Sequence, residues 1–235
     1  MLISIIIPVF NEERTIKDIL IKINKINNLN KEIIIIDDCS TDLTHQIISK
    51  ECKNLYSKII YLDRNYGKGY ALRKGFEIAT GDIIIIQDAD LEYNPNDYHK
   101  LLDPIINCSS QVVYGSRVMP GGIRVRPKSV DTYFRVLANN FLTTLSNLFN
   151  NQELTDAHTC YKVFKRNLLE KIQLKENGFN FCPEFTAKIS RLGIIIKEVP
   201  VSYEGRTHMQ GKKIKFIDGF GAIYAIIKYN FFKFS

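Results

Sequence analysis

Residues 32–42 of the chain read EIIIIDDCSTD, and residues 82–92 read DIIIIQDADLE. In both stretches four consecutive isoleucines lead into acidic residues. The isoleucines do not alternate with polar residues, and such continuous apolar runs are typical of strands buried on both faces of a parallel sheet. The carboxyl ends of parallel strands meet at one edge of a sheet, where α/β proteins of this kind bind ligands. The two stretches therefore predict an acidic ligand site at the edge of a buried parallel sheet.

The rest of the N-terminal half continues the alternation of strands and helices. Short apolar runs rich in β-branched residues lie at 2–9, 32–38, 58–62, 82–87 and 111–115. Between the first two runs, isoleucines and a leucine at 16, 19, 20, 23 and 26 recur at the spacing of one helix face. This alternation predicts an α/β fold in which helices cover both faces of a doubly wound, mostly parallel sheet. After residue 115 we expect an Arg-rich loop, a helix around Tyr133 to Phe149 and further mixed elements.

The composition is that of one globular domain. The chain has 235 residues, of which 45% are hydrophobic and 24% are charged, and we expect a single domain over residues 1–235. Its five cysteines form an odd, widely spaced set without a C-x-x-C pair, which is typical of reduced cytosolic thiols. No stretch has about 18 uncharged apolar residues, and the N-terminal run is too short for a signal peptide, so we expect no membrane-spanning helix.

The C-terminal segment combines positive charge with an apolar stripe. From Arg206 onward there are six basic residues and one acidic residue, so much of the net charge of +7 lies here. The sequence FIDGFGAIYAIIKYNFF predicts an amphipathic helix. Its apolar face comprises Phe216, Phe220, Ile223, Ile227, Phe231 and Phe234, widened by Ile217 and Tyr224. Either this helix lies in the membrane interface, with Lys212, Lys213 and Lys215 near anionic headgroups, or its apolar face packs onto the protein's own sheet.

The D-x-D at Asp88 and Asp90 directly follows the second isoleucine run. Alternate residues of an extended segment share one side, so both carboxylates face the same way. That arrangement suits Mg²⁺ or Mn²⁺, which proteins hold through one or two carboxylates while phosphate oxygens and water fill the remaining positions. Glu92, two residues further, is a candidate third ligand. The alternative is a solvated acidic turn without a metal ion.

The other acidic pair, Asp37 and Asp38, ends the first isoleucine run. These carboxylates either accept hydrogen bonds from a nucleobase or ribose, as the acid after the second strand does in dinucleotide-binding folds, or help to cap the next helix. In the capping interpretation, Ser40 or Thr41 is the N-cap residue. We favour the nucleotide-binding role.

The glycine-rich segment 65–75, NYGKGYALRKG, matches neither a dinucleotide motif nor a P-loop. Leu72 replaces the last glycine of G-x-G-x-x-G, and the chain has no G-x-x-x-x-G-K-[ST]. Lys68 lies either near phosphates or in a plain turn before a helix. Further candidate phosphate ligands, each with a solvated surface position as its alternative, are Arg117, Arg206, Lys212 and Lys213.

Five motifs, in this order and spacing, resemble the family 2 glycosyltransferases of GT-A fold. They are IIIPVFNEE at 5–13, IIIIDDCSTD at 33–42, NYGKGYALRKGFEIATGD at 65–82, QDADLEY at 87–93 and GSR at 115–117. Within that family, the chain is most similar to the dolichol- and polyprenyl-phosphate sugar synthases. Weaker similarity in LTDAHTCYKVFKR, PEFTAKI, EVPVSYEGRT and GKKIKFIDGF extends the resemblance over almost the whole chain. The resemblance implies a GT-A fold and a metal-dependent glycosyltransferase.

The resemblance and the residue patterns together assign expected roles. The residues expected at the nucleotide site are Pro8, Phe10, Glu12, Asp37, Asp38, Lys68, Asp88 and Ala89. The residues expected to hold the metal ion and the donor diphosphate are Asp88, Asp90 and Glu92. Those expected to face phosphates are Arg117, Arg206, Lys212 and Lys213, and Asp90 and Arg117 are the expected catalytic residues. Residues 1–117 are then the nucleotide-sugar-binding half, and residues 118–235 are the acceptor-binding and membrane-facing half.

The resemblance also implies a mechanism. Such enzymes invert the anomeric centre by direct displacement, while the metal ion and cations neutralise the departing diphosphate. We expect a GDP- or UDP-sugar donor and a polyprenyl phosphate acceptor, either dolichyl or undecaprenyl. A phosphate monoester has its second pKa at about 6, so this acceptor is already anionic at neutral pH and requires no general base. A sugar hydroxyl of a polysaccharide or glycolipid, the alternative acceptor, would require a carboxylate base, for which Asp156 and Glu184 are the candidates.

Three other functions fit the sequence less well. A sugar-phosphate nucleotidyltransferase normally has a glycine-rich loop directly after the first strand, and PVFNEERT at 8–15 has no glycine. A receiver-like signalling module would explain Asp37, Asp38 and Asp88, but neither the D-x-D nor the residues after 115. A metal-independent membrane-surface protein would leave the acidic clusters without a role. We therefore expect an enzyme of cell-envelope biogenesis that is peripheral on the cytoplasmic face of the membrane and binds no nucleic acid.

Overall fold

A seven-stranded sheet forms the centre of the protein and is accompanied by a small two-stranded sheet. The structure is a computed structural model that describes residues 1–125, 130–206 and 216–231, without the side chains of 130–132, 216 and 217. The strands are β1 (Ile3–Val9), β2 (Lys31–Asp37), β3 (Lys58–Tyr61), β4 (Ile83–Ile86), β5 (Val112–Ser116), β6 (Arg124–Val125), β7 (Lys162–Lys165), β8 (Lys197–Pro200) and β9 (Tyr203–Glu204). The α-helices are α1 (Ile16–Asn24), α2 (Thr44–Glu51), α3 (Lys68–Ile78), α4 (Tyr98–Ile106), α5 (Val130–Asn150), α6 (Phe181–Arg191) and α7 (Phe216–Phe231).

The large sheet has the strand order β3-β2-β1-β4-β7-β5-β8. The first four of these strands are mutually parallel, and β8 pairs in parallel with β5. β7 runs antiparallel to both of its neighbours, β4 and β5. Six strands therefore end at one edge of the sheet, which we call the site edge. Because β7 runs in the opposite direction, the segment that leads into β7 also lies at the site edge.

The strands predicted to be buried on both faces are buried. Every residue of β1 and β4 is buried, and in β2 only Lys31 is partly exposed. Isoleucines of β1 lie beside isoleucines of β2, from Ile5 beside Ile33 to Ile7 beside Ile35. Side chains of a strand point alternately to the two faces, so complete burial requires packing on both sides of the sheet. The helix predicted to cover it, α1, buries Ile16, Ile19, Leu20 and Ile23.

Two local features differ from the prediction. Neither Ser40 nor Thr41 caps α2, which begins at Thr44 without a side-chain cap. Instead, the Ser40 N–H donates to Asp37 Oδ1 at 3.0 Å, and Cys39 has a φ of 60°. The second feature is β7, a four-residue strand that the sequence pattern does not mark. Its two neighbours in the sheet come from distant parts of the chain, so only tertiary pairing defines it.

The C-terminal helix packs against α5 and α6 through a face that was not predicted. The buried side chains of α7 are Ala222, Ala225, Ile226 and Tyr229. In the predicted apolar stripe, the side chains of Phe220, Tyr224, Ile227 and Phe231 are 72%, 62%, 40% and 64% exposed. The interpretation in which this stripe packs onto the protein's own sheet is therefore wrong for these four residues. Phe234 and the side chains of Phe216 and Ile217 lie outside the described residues.

α5 carries an exposed apolar stripe of its own. Its exposed large apolar side chains are Tyr133, Phe134, Leu137, Phe141 and Leu148. At one end of the helix pair, the ring of Phe149 lies 5.1 Å from the ring of Phe231. We call the exposed apolar side chains of these two helices the α5–α7 surface. Among the described helices, none has the length and hydropathy that crossing a bilayer requires.

Candidate active site

A cavity of about 790 Å³ opens at the site edge of the large sheet. The residues expected from the sequence that line it are Pro8, Phe10, Glu12, Asp38, Lys68, Asp88, Ala89, Asp90, Glu92, Arg117 and Arg206. Three other expected residues, Asp37, Asp156 and Glu184, are fully buried and do not line it. Lys212 and Lys213 lie outside the described residues. The parallel strands bring the acidic segments together because they all end at this edge.

Asp37 and Asp38, the acidic pair at the end of β2, have different surroundings. Asp38 lines the cavity and accepts hydrogen bonds from the backbone N–H groups of Tyr66 and Gly67, each at 2.8 Å. Burial raises the pKa of Asp38. Asp37 does not line the cavity, and its Oδ2 lies 3.7 Å from His45 Nδ1. Asp38 is thus the acid of this pair that is placed to meet a ligand, and it also fixes the glycine-rich loop.

The glycines of this loop allow a close approach to another segment. A Cβ on Gly67 would lie 2.7 Å from the carbonyl oxygen of Asn177, and a Cβ on Gly69 would collide with the carbonyl oxygen of Glu176. Gly67 also has a φ of 98°, which favours glycine. The Tyr70 N–H donates to the Asn177 carbonyl at 3.0 Å. Packing on this segment therefore sets the start of α3.

Lys68, the first residue of α3, forms an ion pair with Asp88 in the cavity wall. Its Nζ lies 2.5 Å from Asp88 Oδ1 and 3.6 Å from Cys160 Sγ. Burial acts to raise the pKa of Asp88, but the Lys68 ammonium group outweighs it and holds the pKa below its usual range. Burial acts to lower the pKa of Lys68, and the Asp88 carboxylate outweighs it in turn. Both groups are therefore charged at neutral pH.

Arg206 contacts three further acidic residues of the cavity, Glu12, Asp90 and Glu92. Its guanidinium donates to Glu12, from Nη1 to Oε2 at 3.0 Å and from Nη2 to Oε1 at 3.2 Å. The same Nη2 donates to Asp90 Oδ2 at 2.8 Å. The backbone N–H of Arg206 donates to Glu92 Oε1 at 2.8 Å, and the Tyr203 hydroxyl donates to Glu92 Oε2 at 2.9 Å. One arginine thus links three acidic residues from two separate segments.

The four acidic residues Glu12, Asp88, Asp90 and Glu92, which we call the carboxylate cluster, supply the hard oxygen ligands that Mg²⁺ and Mn²⁺ prefer. Burial, followed by the charges of Asp88 and Glu92, raises the pKa of Asp90 to about 7. In the described part of the chain, no three acidic, histidine or cysteine side chains converge closely enough to hold a metal ion. The chemistry of the cluster fits a cation that also uses phosphate oxygens, whereas binding through three protein ligands would require the side chains to move.

Arg117 is held in one orientation by Asp156. Arg117 Nε donates to Asp156 Oδ2 at 2.7 Å, and Nη2 donates to Oδ1 at 2.7 Å. Asn139 of α5 also donates to Asp156 Oδ1, at 3.2 Å, and the Tyr203 ring centre lies 5.2 Å from the guanidinium carbon of Arg117. The Asp156 N–H donates to Glu198 of β8 at 2.9 Å. These contacts fix the Arg117 side chain at the wall of the cavity.

Asp156 and Glu184 are not placed to act as general bases. Both are completely buried and neither lines the cavity. Asp156 is paired with Arg117, which outweighs burial and holds the pKa of Asp156 below its usual range. Glu184 accepts the backbone N–H groups of Lys175 at 2.7 Å and Glu176 at 2.8 Å. A base must reach the proton that it removes, and in this structure neither carboxylate faces the cavity, so the base role of both residues stays a prediction that this geometry does not support.

The sequence did not identify several side chains that line the cavity. They are Asn65, Tyr93, Arg135, Asn139, His158, Cys160 and Tyr203, among others. Burial, followed by the positive charge of Lys162, lowers the pKa of His158 to about 4, so this imidazole is neutral at physiological pH. These residues come from separate segments that only the fold brings together. Sequence signals existed for some of them, since Asn65 and Tyr93 lie within the motifs at 65–82 and 87–93, and the polar turn LTDAHTCYK contains His158 and Cys160.

The cavity continues from the carboxylate cluster to the C-terminal helices. At that end its wall includes Val136, Ala138 and Leu142 of α5 and Gly219 and Ala222 of α7. These five residues are apolar or lack a side chain, but the same two helices also place Arg135, Asn139, Asn140 and Asp218 in the cavity wall. A single cavity therefore joins the charged residues at the sheet to an end of mixed character at α5 and α7, where apolar side chains lie among polar and charged ones.

Comparison with known proteins identifies related sequences. The family model described as Glycosyl transferase family 2 matches residues 4–173. A dolichol-phosphate mannosyltransferase of Pyrococcus furiosus is 26% identical over 98% of this chain and 65% of its own length. A UDP-N-acetylglucosamine–dolichyl-phosphate N-acetylglucosaminyltransferase of Methanococcus voltae is 28% identical over 96% of this chain and 95% of its own length. An undecaprenyl-phosphate 4-deoxy-4-formamido-L-arabinose transferase of Aeromonas hydrophila is 26% identical and spans 90% of this chain, which matches 62% of that relative. The chain thus spans slightly less than two thirds of the first and third relatives.

Solved structures share the fold. Glucosyl-3-phosphoglycerate synthase from Mycobacterium tuberculosis, in complex with Mn²⁺, UDP and glucosyl-3-phosphoglycerate, superposes with a TM-score of 0.74 at 20% identity over 99% of this chain and 81% of that one. The same synthase with Mg²⁺ and UDP gives a TM-score of 0.75 at 18% identity over 99% and 80% of the two chains. At these identities the similarity concerns the fold, and it confirms the predicted GT-A architecture.

Proposed function

Because the chain belongs to glycosyl transferase family 2, and is therefore a glycosyltransferase, we propose that it transfers a sugar from a nucleotide diphosphate sugar to a polyprenyl phosphate. The reaction is a direct displacement that inverts the anomeric carbon. The acceptor is dolichyl or undecaprenyl phosphate. The predicted family and enzyme class are confirmed, whereas the donor, the acceptor and the stereochemistry belong to the proposal.

The observation that carries this proposal is the two-ended cavity. Its charged end, at the carboxylate cluster, suits a diphosphate with its counter-cations, and the apolar side chains at its other end, Val136, Ala138, Leu142 and Ala222, suit the start of a hydrocarbon chain. A polyprenyl phosphate has an anionic head on an apolar tail, so its two parts match the two ends. The named relatives from Pyrococcus furiosus, Methanococcus voltae and Aeromonas hydrophila, which act on dolichyl or undecaprenyl phosphates, support the same acceptor class.

The donor is a UDP- or GDP-sugar bound at the ends of β1, β2 and β4. Pro8, Phe10 and Asp38 line this part of the cavity, with Lys68 and Ala89 beside the D-x-D. Asp37 has no direct contact with the nucleotide in this proposal and holds the turn that follows β2. The Asp38 carboxylate is the hydrogen-bond acceptor placed to meet a ring N–H of the base or a ribose hydroxyl.

The cofactor is Mg²⁺ or Mn²⁺, held by Asp88 and Asp90, with Glu92 as a further ligand. When bound, this ion would stabilise the negative charge of the departing diphosphate. Solved structures of the glucosyl-3-phosphoglycerate synthase contain Mn²⁺ or Mg²⁺ together with UDP, which supports a divalent ion here. The protein's own contribution is a buried set of carboxylates at the point where the diphosphate arrives.

The two arginines of the proposed site bind phosphate groups. Arg117, whose orientation is fixed by Asp156, contacts the phosphate of the acceptor or of the leaving group, and Arg206 contacts the diphosphate. An acceptor phosphate is anionic at neutral pH and attacks without a general base. This agrees with the positions of the two buried acids, Asp156 and Glu184, that would have served a hydroxyl acceptor. The sugar-hydroxyl alternative is therefore the weaker one.

The enzyme works at the cytoplasmic face of the membrane as a peripheral protein. The α5–α7 surface carries exposed aromatic and aliphatic side chains beside the end of the cavity at these two helices. Such a surface is suited to insertion into the boundary between headgroups and acyl chains. The basic residues Lys212, Lys213 and Lys215, which lie outside the described part of the chain, would add attraction to anionic lipids. A lipid-borne acceptor then reaches the cavity without leaving the bilayer.

A donor screen tests the proposed function. The full chain is incubated with Mn²⁺, undecaprenyl phosphate in detergent and each of several UDP- and GDP-sugars, and release of the free nucleoside diphosphate is followed. We expect one donor to give release that depends on the lipid phosphate. Undecaprenol, which lacks the phosphate, is the matched control acceptor and should give none. The acceptor assignment would be contradicted if the nucleoside diphosphate were released without any lipid, or with undecaprenol, as fast as with undecaprenyl phosphate.

A further inference from the structure

Arg206 contacts two of the proposed metal ligands, Asp90 and Glu92, and also Glu12. Its guanidinium is hydrogen-bonded to Glu12 and Asp90 at 2.8 to 3.2 Å. Its Nε is buried, has no hydrogen-bond partner among the described residues and lies 3.8 Å from Glu92 Oε1. The Arg206 side chain is only 15% exposed. One positive charge is therefore packed among three members of the carboxylate cluster.

The fourth member, Asp88, has a protein cation of its own in Lys68, at 2.5 Å. The cluster thus contains four carboxylates and two positively charged side chains that the chain itself supplies. Carboxylates buried near one another repel, and each is stable in the ionised form only with an opposite charge nearby. Arg206 supplies that charge from a position 194 residues from Glu12 and 116 residues from Asp90 in sequence. It therefore stabilises the cluster when no metal ion is bound.

The two cations differ in how they affect access to the cluster. Lys68 contacts a single oxygen of Asp88, whereas Arg206 bridges Glu12 and Asp90. Because Arg206 Nη2 donates to Asp90 Oδ2, this oxygen of a proposed metal ligand already has a cation as its partner. Within residues 1–125, 130–206 and 216–231, no three acidic, histidine or cysteine side chains converge on one metal position. Arginine does not lose its proton at physiological pH, so only another cation can take its place.

We propose that Arg206 is the resident counter-cation of the carboxylate cluster and that a divalent ion arriving with the donor diphosphate displaces it from Asp90. The displaced guanidinium then gains a new partner of opposite charge, because phosphate oxygens accept the same paired hydrogen bonds as a carboxylate. Arg206 holds the empty site together and binds phosphate in the loaded one. This inference rests on the proposed function, which supplies the ion and the diphosphate.

The test is Mn²⁺ binding to the full chain in the absence of nucleotide, measured from the electron paramagnetic resonance signal of free Mn²⁺. We expect Arg206→Ala to bind Mn²⁺ about tenfold more tightly than the parent, since removal of one charge-assisted hydrogen bond to Asp90 is worth about that factor. The matched control is Arg117→Ala. Arg117 lines the same cavity but pairs with Asp156, so its loss should leave Mn²⁺ affinity unchanged. Equal or weaker Mn²⁺ binding by Arg206→Ala than by the parent overturns the proposal.

UDP and GDP, each added at saturation, give a second readout that a purely structural arginine would not alter. In the parent, the nucleotide that binds should tighten Mn²⁺ binding, because the diphosphate offers Arg206 a new partner. In Arg206→Ala this additional tightening should be smaller by about tenfold. If the nucleotide tightened Mn²⁺ binding equally in parent and variant, the second half of the proposal, in which Arg206 binds the phosphate, would be overturned.

A further variant covers the case in which Arg206→Ala does not fold, as judged by circular dichroism. Arg206→Lys keeps the charge but cannot bridge Glu12 and Asp90 with a forked group, so we expect tighter Mn²⁺ binding by a smaller factor. Unchanged affinity in a folded Arg206→Lys chain overturns the proposal. None of these measurements requires a sugar or an acceptor. Tighter Mn²⁺ binding in the variant together with failure of sugar transfer by the parent would therefore reject the proposed function and leave this inference standing.

Discussion

At the scale of single residues, Asp88 and Asp90 differ although they stand two positions apart in one motif. Lys68 holds the pKa of Asp88 below its usual range, while burial and neighbouring carboxylates raise the pKa of Asp90 to about 7. The D-x-D spacing predicts two ligands on one side of an extended segment, and both do line the cavity. The spacing does not show which one is paired with a lysine, because Lys68 comes from another part of the chain.

The first prediction concerns this pair. We expect Asp88→Asn and Asp90→Asn each to weaken Mn²⁺-dependent donor binding by at least about 100-fold, since a charged metal ligand is lost. Calorimetric titration with donor and Mn²⁺ measures this. Asp37→Asn is the matched control, because Asp37 is buried at the same edge but does not line the cavity. Unchanged donor affinity in both variants would remove the assignment of the metal site.

A second residue-scale prediction concerns stability at Glu32. Its Oε1 accepts hydrogen bonds from Ser4 Oγ at 2.5 Å and from the Thr80 N–H at 2.6 Å, and its Oε2 lies 2.9 Å from Lys58 Nζ. Burial acts to raise the pKa of Glu32, but these hydrogen bonds outweigh it and lower the pKa to about 2. A carboxylate whose pKa is lowered in the folded protein stabilises the fold at pH values above the pKa of the unfolded chain, about 4.5. This contribution is lost as the pH falls towards about 2.

We therefore expect Glu32→Gln to reduce the free energy of unfolding by about 2 kcal/mol at pH 7, as charge-assisted hydrogen bonds are lost. The difference between parent and variant should narrow steadily below pH 4.5. Urea unfolding at pH 7 and pH 3 measures both values. If the difference in free energy of unfolding between parent and variant did not change with pH, the charge of Glu32 would not be what stabilises its contacts with Ser4, Lys58 and Thr80.

At the scale of elements, the glycine-rich loop before α3 depends on contact with the segment 176–178. We expect Gly69→Ala to lower the free energy of unfolding by about 1–3 kcal/mol, because its Cβ would collide with the Glu176 carbonyl oxygen. Gly178→Ala is the matched control, since a Cβ at Gly178 has no atom within 4 Å. Urea unfolding compares the two variants. Equal stability of Gly69→Ala and Gly178→Ala would show that this close packing is not required.

The second element-scale prediction concerns α7. The variant Phe220→Ser/Phe231→Ser removes two exposed aromatic side chains from the α5–α7 surface, and the control Leu43→Ser/Ile195→Ser removes two exposed apolar side chains elsewhere. We expect the first variant to bind anionic liposomes at least about tenfold more weakly than the parent, through lost apolar burial, and the control to bind like the parent. Cosedimentation at low and high salt measures this, and salt should weaken binding of the parent. Equal pelleting of all three chains would rule out α7 as the membrane contact.

At the scale of the whole molecule, the N-terminal half of the fold was predictable because its signals are local. The isoleucine runs and the face of α1 each lie within a few residues and are set by burial. β7 was not predictable, since KVFK becomes a strand only between β4 and β5. The exposed side of α7 was misjudged as a possible packing face, because α7 is apolar on two sides and periodicity does not say which side the protein covers.

The same distinction holds for the candidate site. Residues that follow a strand end directly, such as Asp38, Asp88 and Asp90, were identified from the sequence and line the cavity. Asp156 was expected to act as a base, but it pairs with Arg117 from 39 positions away. The partners of Arg206 are equally remote in sequence. Pairings of this kind depend on the strand order of the sheet and leave no short-range pattern.

Sugar transfer to a polyprenyl phosphate can be followed through the fate of a labelled sugar. The full chain is incubated with a donor carrying a labelled sugar, Mn²⁺ and undecaprenyl phosphate in liposomes, and the products are partitioned between an organic solvent and water. We expect label to enter the organic phase only when lipid phosphate and Mn²⁺ are both present, and the sugar in the lipid product to have the opposite anomeric configuration to the donor. Label that stays in the aqueous phase as free sugar, or a lipid product that retains the donor's configuration, would contradict the proposed function.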